Sequence, residues 1–213
     1  MANHVSSYIE FHEINDAAKA KLIEMVGRCR EMDYGRRWFA DIFVEGDLTY
    51  EDVEQYSWTT ENIGPKWCYI EEFDEDSLTI MTESAWSAPE EGMGMLVEKL
   101  NEFDDKIVWS IKYEDEMPNF IGAYVYENDD CIDGAEDDDE DIRFMMFAWL
   151  PHLKEQWDEE LEEWKTDEEG NLTEESEAAE DEYRDMLYEW ISNRQDELVT
   201  DGLESLKENG EEE

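Results

Sequence analysis

The sequence predicts an α+β domain followed by an acidic helical hairpin, and three observations support this prediction. Segments with strand-like and helix-like patterns alternate as far as residue 127. Beyond residue 150, apolar residues recur at steps of three and four, which is the spacing of amphipathic helices. The charge also changes at residue 128, since residues 1–127 carry 29 acids and 10 bases whereas residues 128–213 carry 34 acids and 6 bases.

The first predicted strand is 6–14, where bulky side chains alternate with smaller or polar ones. Asn15 and Asp16 follow it and are suitable N-caps for a helix over about 16–31. The apolar residues of this helix fall at helical spacing and are Ala17, Ala18, Leu22, Met25, Val26 and Cys29. Residues 33–65 are less regular, and we expect a short strand there, followed by a short helix or an insertion.

Four more strands and one helix complete the predicted domain, which spans residues 1–127. The strands are 66–73, 77–84, 106–115 and 119–127, and the last two form a hairpin. The helix lies before this hairpin and is expected to begin near Pro89, because proline suits a first helical turn. One face of this helix is apolar through Met93, Leu96, Leu100 and Phe103. The order of elements is that of a ferredoxin-like split βαβ sandwich with an added strand.

Four segments of this domain also carry a resemblance to a known family. They are the N-terminal strand, "NIGPKW" (62–67), "SAWSAPEEG" (84–92) and "YEDEMPNFIGAY" (113–124). These segments resemble the YubB ferredoxin-like domain family, whose members are carried by phages and plasmids. The resemblance covers about residues 1–127. It implies a ferredoxin-like fold and a phage-type origin, and it provides no catalytic residues.

The composition combines many aromatic residues with extreme acidity. Aromatic residues make up 13% of the chain, including nine Trp, whereas disordered acidic chains lack such residues. The formal net charge is −47, far beyond the magnitude of roughly 2–8 that keeps a small domain soluble. Fixed charge of one sign chiefly attracts partners of opposite sign. Nucleic acids and anionic membranes are therefore disfavoured as partners, and a basic protein is expected.

The cysteines and the apolar runs predict a soluble intracellular protein, and the phage-type origin that the resemblance implies would place it in the cytoplasm of a host cell. Cys29, Cys68 and Cys131 are odd in number and widely spaced, so we expect free thiols in a reducing compartment. No apolar run approaches the ~18 residues that a membrane helix needs. The N-terminus also lacks the basic and then apolar pattern of a signal peptide.

Residues 128–142 are predicted to be an acidic linker. An EF-hand calcium loop starting at Asp129 would place Gly134 at position 6 and Glu140 at position 12. Position 3, however, would be Cys131, which is a poor ligand for a hard cation. We therefore expect no specific metal site in this stretch.

Motifs of catalysis are absent from the sequence. The three histidines do not fall at the spacing of a metal site, and there is no P-loop, GxSxG or Cys-His signature. Carboxylate pairs for acid–base catalysis are uninformative in a chain with 63 acids. We therefore expect a non-enzymatic protein without a cofactor.

The region 143–207 is predicted to be an acidic amphipathic helical hairpin, with a disordered tail over 208–213. Its two helices are expected at about 152–166 and 174–207. The apolar positions of the first are Leu150, Leu153, Trp157, Leu161 and Trp164. The second has Tyr183, Leu187, Trp190, Arg194 and Leu198 at the same steps.

The charge spacing in this region predicts mimicry of DNA. Residues 155–169 hold nine acids and one base. In a helix of about 22 Å their net charge would amount to one charge per ~3 Å, close to the ≈3.4 Å of a single DNA strand. We expect the protein to occupy the basic groove of a DNA-binding or nuclease-type protein, and the phage-type origin that the resemblance implies suggests a host defence protein. The predicted contact residues are Asp137, Asp138, Asp139, Glu140, Asp158, Glu159, Glu162, Glu163, Asp167, Glu168 and Glu169.

Three other interpretations stay open at the level of sequence. A solvated charged face is the ordinary reason for an acidic helix. Adaptation to high salt would spread the acids evenly along the chain, whereas in this chain they become denser from residue 128 onward. A structural or assembly protein of a phage would use the Trp-rich helices to form homo-oligomers.

Overall fold

The structure is a computed structural model, and it describes residues 3–159, 161, 163–167 and 169–210. The chain divides into two compact units. The first unit holds the described residues up to Glu136 together with those from Leu198 onward, and the second unit is Asp137–Glu197. The boundary at 136/137 lies nine residues beyond the predicted one at 127/128, and the C-terminal segment belongs to the first unit.

The first unit is built on a seven-stranded antiparallel sheet, so the chain has an α+β fold. Its strands are β1 His4–Glu13, β2 Arg37–Trp38, β3 Cys68–Asp74, β4 Thr79–Ala85, β5 Val108–Asp115, β6 Phe120–Glu127 and β7 Asp130–Asp138. They lie in the order β2-β3-β4-β1-β5-β6-β7. The strands predicted from alternation are confirmed within a few residues at each end, including the β5–β6 hairpin.

Two helices supply the apolar side that covers this sheet. Helix α1 (Asp16–Gly27) begins at the Asn15 N-cap, whose side chain accepts hydrogen bonds from the backbone of Ala17 and Ala18. Helices α2 (Tyr50–Val53) and α3 (Tyr56–Asn62) lie in the irregular segment, and α4 (Glu90–Leu100) has Pro89 as its N-cap. The core combines residues of α1, α4 and the central strands, among them Leu22, Met25, Met93, Leu96, Ile9, Ile80 and Ile111.

The predicted acidic linker over 128–142 is wrong. Asn128 and Asp129 form a turn, and β7 follows as the edge strand beside β6. Charged residues are common on edge strands because they prevent pairing with further chains, so the acids concealed the strand pattern. Gly134 fits here because a Cβ would lie 2.4 Å from the carbonyl oxygen of Ala123.

The predicted helix over 152–166 is also wrong. The chain forms α5 (Asp139–Trp149), a short α6 (Pro151–Lys154) and then a hairpin of β8 (Trp157–Asp158) and β9 (Glu163–Trp164). Trp157 lies directly opposite Trp164 in this hairpin. A separation of seven residues fits either two turns of a helix or a pair across a short hairpin.

The second predicted helix is present as α7 (Glu174–Gly210), which is longer than expected. Its last turns pack on the sheet of the first unit, where Val199 contacts a cluster with Val108, Ala123 and Val125. Residues 208–210, predicted to be a disordered tail, continue this helix, and residues 211–213 of that tail lie outside the described residues. Over the part of the chain that the structure describes, no helix combines the length and the apolar character needed to cross a membrane.

Two helical glycines of the first unit give a matched test of the packing of α7. Gly202 in α7 would bring a Cβ to 2.7 Å from the Val125 side chain, whereas Gly94 in α4 has nothing within 4 Å. We expect Gly94→Ala to raise the free energy of unfolding by about 0.5–1 kcal/mol through helix propensity. Gly202→Ala should lower it by about 1–2 kcal/mol because of overpacking. Urea denaturation measures both, and stabilisation by Gly202→Ala would contradict the packing described.

Candidate acidic interface

The second unit has an aromatic core of its own. Phe147 of α5 is buried between Trp157 and Trp164, with ring centroids 5.8 and 6.2 Å away. The two Trp rings meet edge to face at 5.3 Å, and Tyr183 of α7 packs against Trp164 at 5.9 Å. Such aromatic pairs add about 0.5–1.5 kcal/mol each beyond the area they bury. This core fixes the position of the α7 segment that carries the acids.

The solvent-facing side of α7 presents a row of carboxylates. Glu177, Asp181, Asp185 and Glu189 follow one another at steps of four residues, and all four are exposed. Successive members are therefore about 6 Å apart along the helix axis. We call these four residues the carboxylate row. It lies opposite the buried side of the helix, which includes Ala179, Leu187 and Ile191.

The charge density of this part of α7 is similar to that of one DNA strand. Residues 174–189 contain eight acids and one base. Sixteen helical residues span about 24 Å, so the net charge of −7 corresponds to one charge per ~3.4 Å, the spacing along a single strand of B-DNA. At 100° per residue, seven of the eight acids lie within about 160° of the helix circumference. The acids thus form one charged surface.

One base modifies this surface without neutralising it. Arg184 donates to Glu180 at 2.9 Å and to Asp181 at 3.2 Å, and its side chain is 62% exposed. Exposed ion pairs of this kind contribute about 0.2–1 kcal/mol. A partner can therefore displace Arg184 from Asp181 at small cost.

Three of the predicted contact residues near the start of α5 have partners within the chain. Asp137 is 8% exposed and accepts a hydrogen bond from Arg194 Nε at 3.1 Å. Asp138 is the N-cap of α5, and its side chain accepts from the backbone of residues 140 and 141. Asp139 forms an ion pair with Arg143 at 3.6 Å. Of this group, Asp137 is buried, whereas Asp138, Asp139 and Glu140 are exposed.

Two of the predicted contact residues of the β8–β9 hairpin also have partners within the chain. Asp158 accepts from the backbone N–H of Leu161 at 3.2 Å, and Glu159 pairs with Lys154 at 2.9 Å. Glu163 is exposed on β9. Glu162 was also predicted as a contact and lies outside the described residues.

The last predicted contacts lie in the turn before α7. The carboxylate of Asp167 accepts from the backbone of Glu169 at 2.8 Å and of Asn171 at 3.0 Å. These backbone hydrogen bonds lower the pKa of Asp167 below its usual value. Glu169 is exposed, and Glu168 lies outside the described residues. The turn therefore uses one of its acids to hold its own backbone.

The carboxylate row is the feature that the sequence analysis missed. The prediction placed the charge array on 155–169, which is not one helix, and none of the row residues was among the predicted contacts. The signal was present in the sequence, because the acids at 177, 181, 185 and 189 recur at steps of four on the side opposite Leu187 and Trp190. The same periodicity that predicted the buried face of α7 also defines its charged face.

A second polar group of residues lies in a cleft of the first unit. The cleft has a volume of about 250 Å³ and is lined by Trp86, Ser87, Ala88, Glu90, Tyr113, Phe120 and Glu136. The Tyr113 hydroxyl donates to Glu136 Oε2 at 2.7 Å, and the Tyr126 hydroxyl donates to Glu90 Oε2 at 2.8 Å. Burial chiefly raises the pKa of Glu90, and the charges of Glu91 and Glu136 raise it further.

The thiols and the metal-binding residue types give no assembled site. The three cysteines are free, and burial raises the pKa of Cys29 to about 12. Within the described ranges, no group of three or more His, Cys, Asp or Glu side chains is arranged to hold a metal ion. Among the described residues, the two candidate sites are therefore the acidic surface of α7 and the cleft that Glu90 and Glu136 line.

Comparisons with protein families, with curated proteins and with solved structures find no match to this chain. The functional interpretation consequently depends on the geometry of the chain itself. That geometry combines a folded aromatic core with a dense, exposed array of carboxylates on one helix face.

The structural role of Asp137 can be tested against an exposed acid of the same unit. We expect Asp137→Asn to lower the free energy of unfolding by about 1–3 kcal/mol, because Arg194 loses a partly buried charged partner. The matched variant Asp185→Asn removes an exposed charge and should change stability by about 0.5 kcal/mol or less. Urea denaturation followed by Trp fluorescence compares them. Equal effects of the two variants would show that Asp137 is not structural.

Proposed function

We propose that the protein is a non-enzymatic DNA mimic that binds the basic groove of a DNA-binding or nuclease-type protein in the cytoplasm of a host cell. The observation that carries this proposal is the dense array of carboxylates on α7, backed by an aromatic core. A flexible acidic tail would have to lose conformational freedom on binding, whereas this array is already ordered on a helix. The protein thereby keeps DNA away from its target.

The proposed origin is a phage or related mobile element, and the proposed fold of the first unit is ferredoxin-like. In chain order the strands β1, β3, β4 and β5 are the first to fourth of a split βαβ arrangement. Their order in the sheet, β3-β4-β1-β5, supports this fold, with β6 and β7 added at one edge. The origin is supported by the resemblance of residues 1–127 to the YubB family.

The proposed mechanism is direct competition. Carboxylates of the array replace phosphates as partners of arginine and lysine side chains in the groove, and arginine can bind a carboxylate through two parallel hydrogen bonds. Binding of charged surfaces is weakened by salt, because salt screens exposed charges. Like-charge repulsion prevents the protein itself from binding nucleic acid.

The first test is capture of partners from a host lysate by the full chain. We expect DNA-binding proteins to be recovered, to dissociate as salt is raised, and to be displaced by added duplex DNA. Recovery of neutral or acidic proteins, or failure of DNA to compete with the captured partner, would overturn the proposal.

The second test neutralises the carboxylate row. We expect the fourfold variant Glu177→Gln, Asp181→Asn, Asp185→Asn and Glu189→Gln to bind the captured partner at least about 4-fold more weakly, since each of the four lost charge pairs contributes about 0.2–1 kcal/mol. The control removes four exposed acids of the first unit through Glu61→Gln, Glu75→Gln, Glu98→Gln and Glu102→Gln. Titration calorimetry measures both, and equal losses would indicate that only net charge matters. Deletion of 128–213 is a poorer test, because it also removes β7 and the helix turns that pack on Val125.

A second candidate function is assembly into homo-oligomers. Trp157 and Trp164, the residues expected to mediate it, pack within the second unit. Exposed aromatic residues remain on α5, where Phe144 is 71% and Trp149 43% exposed. We expect the chain to be a monomer by light scattering in 1 M salt. A stable oligomer that is lost in Phe144→Ala would favour assembly over mimicry.

A further inference from the structure

The cleft of the first unit differs from the acidic surface because it is a cavity with aromatic walls. Trp86 and Phe120 lie on its sides, and the Glu90 and Glu136 carboxylates line it. Trp86 is 57% exposed although it is a large apolar side chain. Its backbone is held in a left-handed conformation with φ 76°, and its N–H donates to the carbonyl oxygen of Asn3 at 3.0 Å.

The carboxylates of the cleft have hydroxyl partners but no basic side chain among the residues that line it. Tyr113 and Tyr126 each engage one oxygen, Oε2, of Glu136 and of Glu90. These hydroxyls orient the carboxylates without neutralising them. Burial also raises the pKa of Glu90, because desolvation disfavours the charged form of its carboxyl group. A bound cation would relieve that cost.

The shape of the cleft favours one class of cation. A guanidinium group is planar, carries five N–H donors, and can bind two carboxylates while its face stacks on an aromatic ring. An ammonium group is a compact, strongly hydrated point charge that gains less from a flat indole wall. The cleft offers both features that a guanidinium needs, namely two carboxylates and the exposed indole of Trp86.

A glycine opposite Tyr113 builds the cleft. Gly122 of β6 is paired with Tyr113 of β5, and a Cβ at Gly122 would lie 2.3 Å from the Tyr113 ring carbon that bears the hydroxyl. The Tyr113 ring therefore lies across the position of the missing side chain, and from there its hydroxyl reaches Glu136. The Tyr113 hydroxyl, which is the hydrogen-bond donor to Glu136, can therefore take its position because residue 122 is a glycine.

We propose that this cleft binds the guanidinium group of an arginine side chain, with Glu90 and Glu136 as the anionic partners and Trp86 as the stacking surface. The identification of that arginine as one from a basic protein partner rests on the proposed function. The preference for guanidinium belongs to the cleft itself. The same chemistry could come from a free guanidinium compound, and the experiments below separate the two sources.

The test uses the full chain and N-acetyl-arginine amide as the probe. Titration followed by NMR should give saturable shifts at the Trp86 indole N–H and at the amides of Glu90 and Glu136. N-acetyl-citrulline amide, which has the same shape without the charge, should give none, and N-acetyl-lysine amide should bind at least about threefold more weakly. Equal shifts with the citrulline or lysine derivative would overturn the proposal.

Point variants locate the site. Glu90→Gln and Glu136→Gln should each weaken binding of the arginine derivative about tenfold or more, because each removes a charge-assisted hydrogen bond. Glu91→Gln is the matched control, because it removes the same charge at the next position of α4. Glu91 does not line the cleft. Trp86→Ala, at an exposed position, should weaken binding about threefold. An equal loss in Glu91→Gln and Glu90→Gln would indicate nonspecific attraction and overturn the site.

Two comparisons separate this proposal from the DNA-mimic proposal. The fourfold variant of the carboxylate row should bind the arginine derivative as the unaltered chain does, whereas it should lose the captured partner. If Glu90→Gln and Glu136→Gln weaken capture of that partner, the arginine belongs to the partner, and if they leave capture unchanged, the cleft serves a free guanidinium compound. If the chain captures no partner but still binds the arginine derivative, the DNA-mimic proposal is rejected and the guanidinium-site proposal is retained.

Discussion

Repulsion among its own acids is the constraint on which the rest of this structure depends. The second unit carries 24 acids against 5 bases within 61 residues, so bringing the chain together concentrates charge of one sign. Such self-repulsion destabilises the compact state. The aromatic cluster of Phe147, Trp157, Trp164 and Tyr183 supplies the opposing apolar and ring contacts. The high aromatic content and the extreme acidity of the chain are therefore two parts of one arrangement.

The same constraint divides the acids into two groups. Some stabilise the fold through specific partners, as Asp137 does with Arg194, Asp138 with the N-terminus of α5, and the fully buried Asp41 with Arg30. The others remain exposed on surfaces such as the carboxylate row. An acid in the first group is held by a donor of the fold. One in the second group has at most an exposed ion pair, as Asp181 has with Arg184, and is available to a partner. The proposed interface is accordingly placed on the second group.

Prediction from sequence succeeded where one periodicity had a single interpretation. Helix α1 was predicted from its Asn15 cap and its apolar spacing, and the β5–β6 hairpin from two runs of β-branched and aromatic residues. It failed where acids concealed the pattern, as in β7, and where a spacing fitted two structures, as for Trp157 and Trp164. The burial of Asp137, one of the predicted contact residues, was missed for a different reason. Exposure of an acid depends on whether a donor such as Arg194 lies near it, and that donor is distant in sequence.

The sequence by itself determined the α+β class, the helix α7 and the anionic character of the surface, because each follows from composition or from a local repeat. Only the tertiary structure decided which acids are exposed, since this depends on packing between segments far apart in the chain. It also decided that Trp86, Glu90, Tyr113 and Glu136 meet in one cleft. These residues come from a loop, a helix and two strands, and only the pairing of the strands and the position of α4 bring them together.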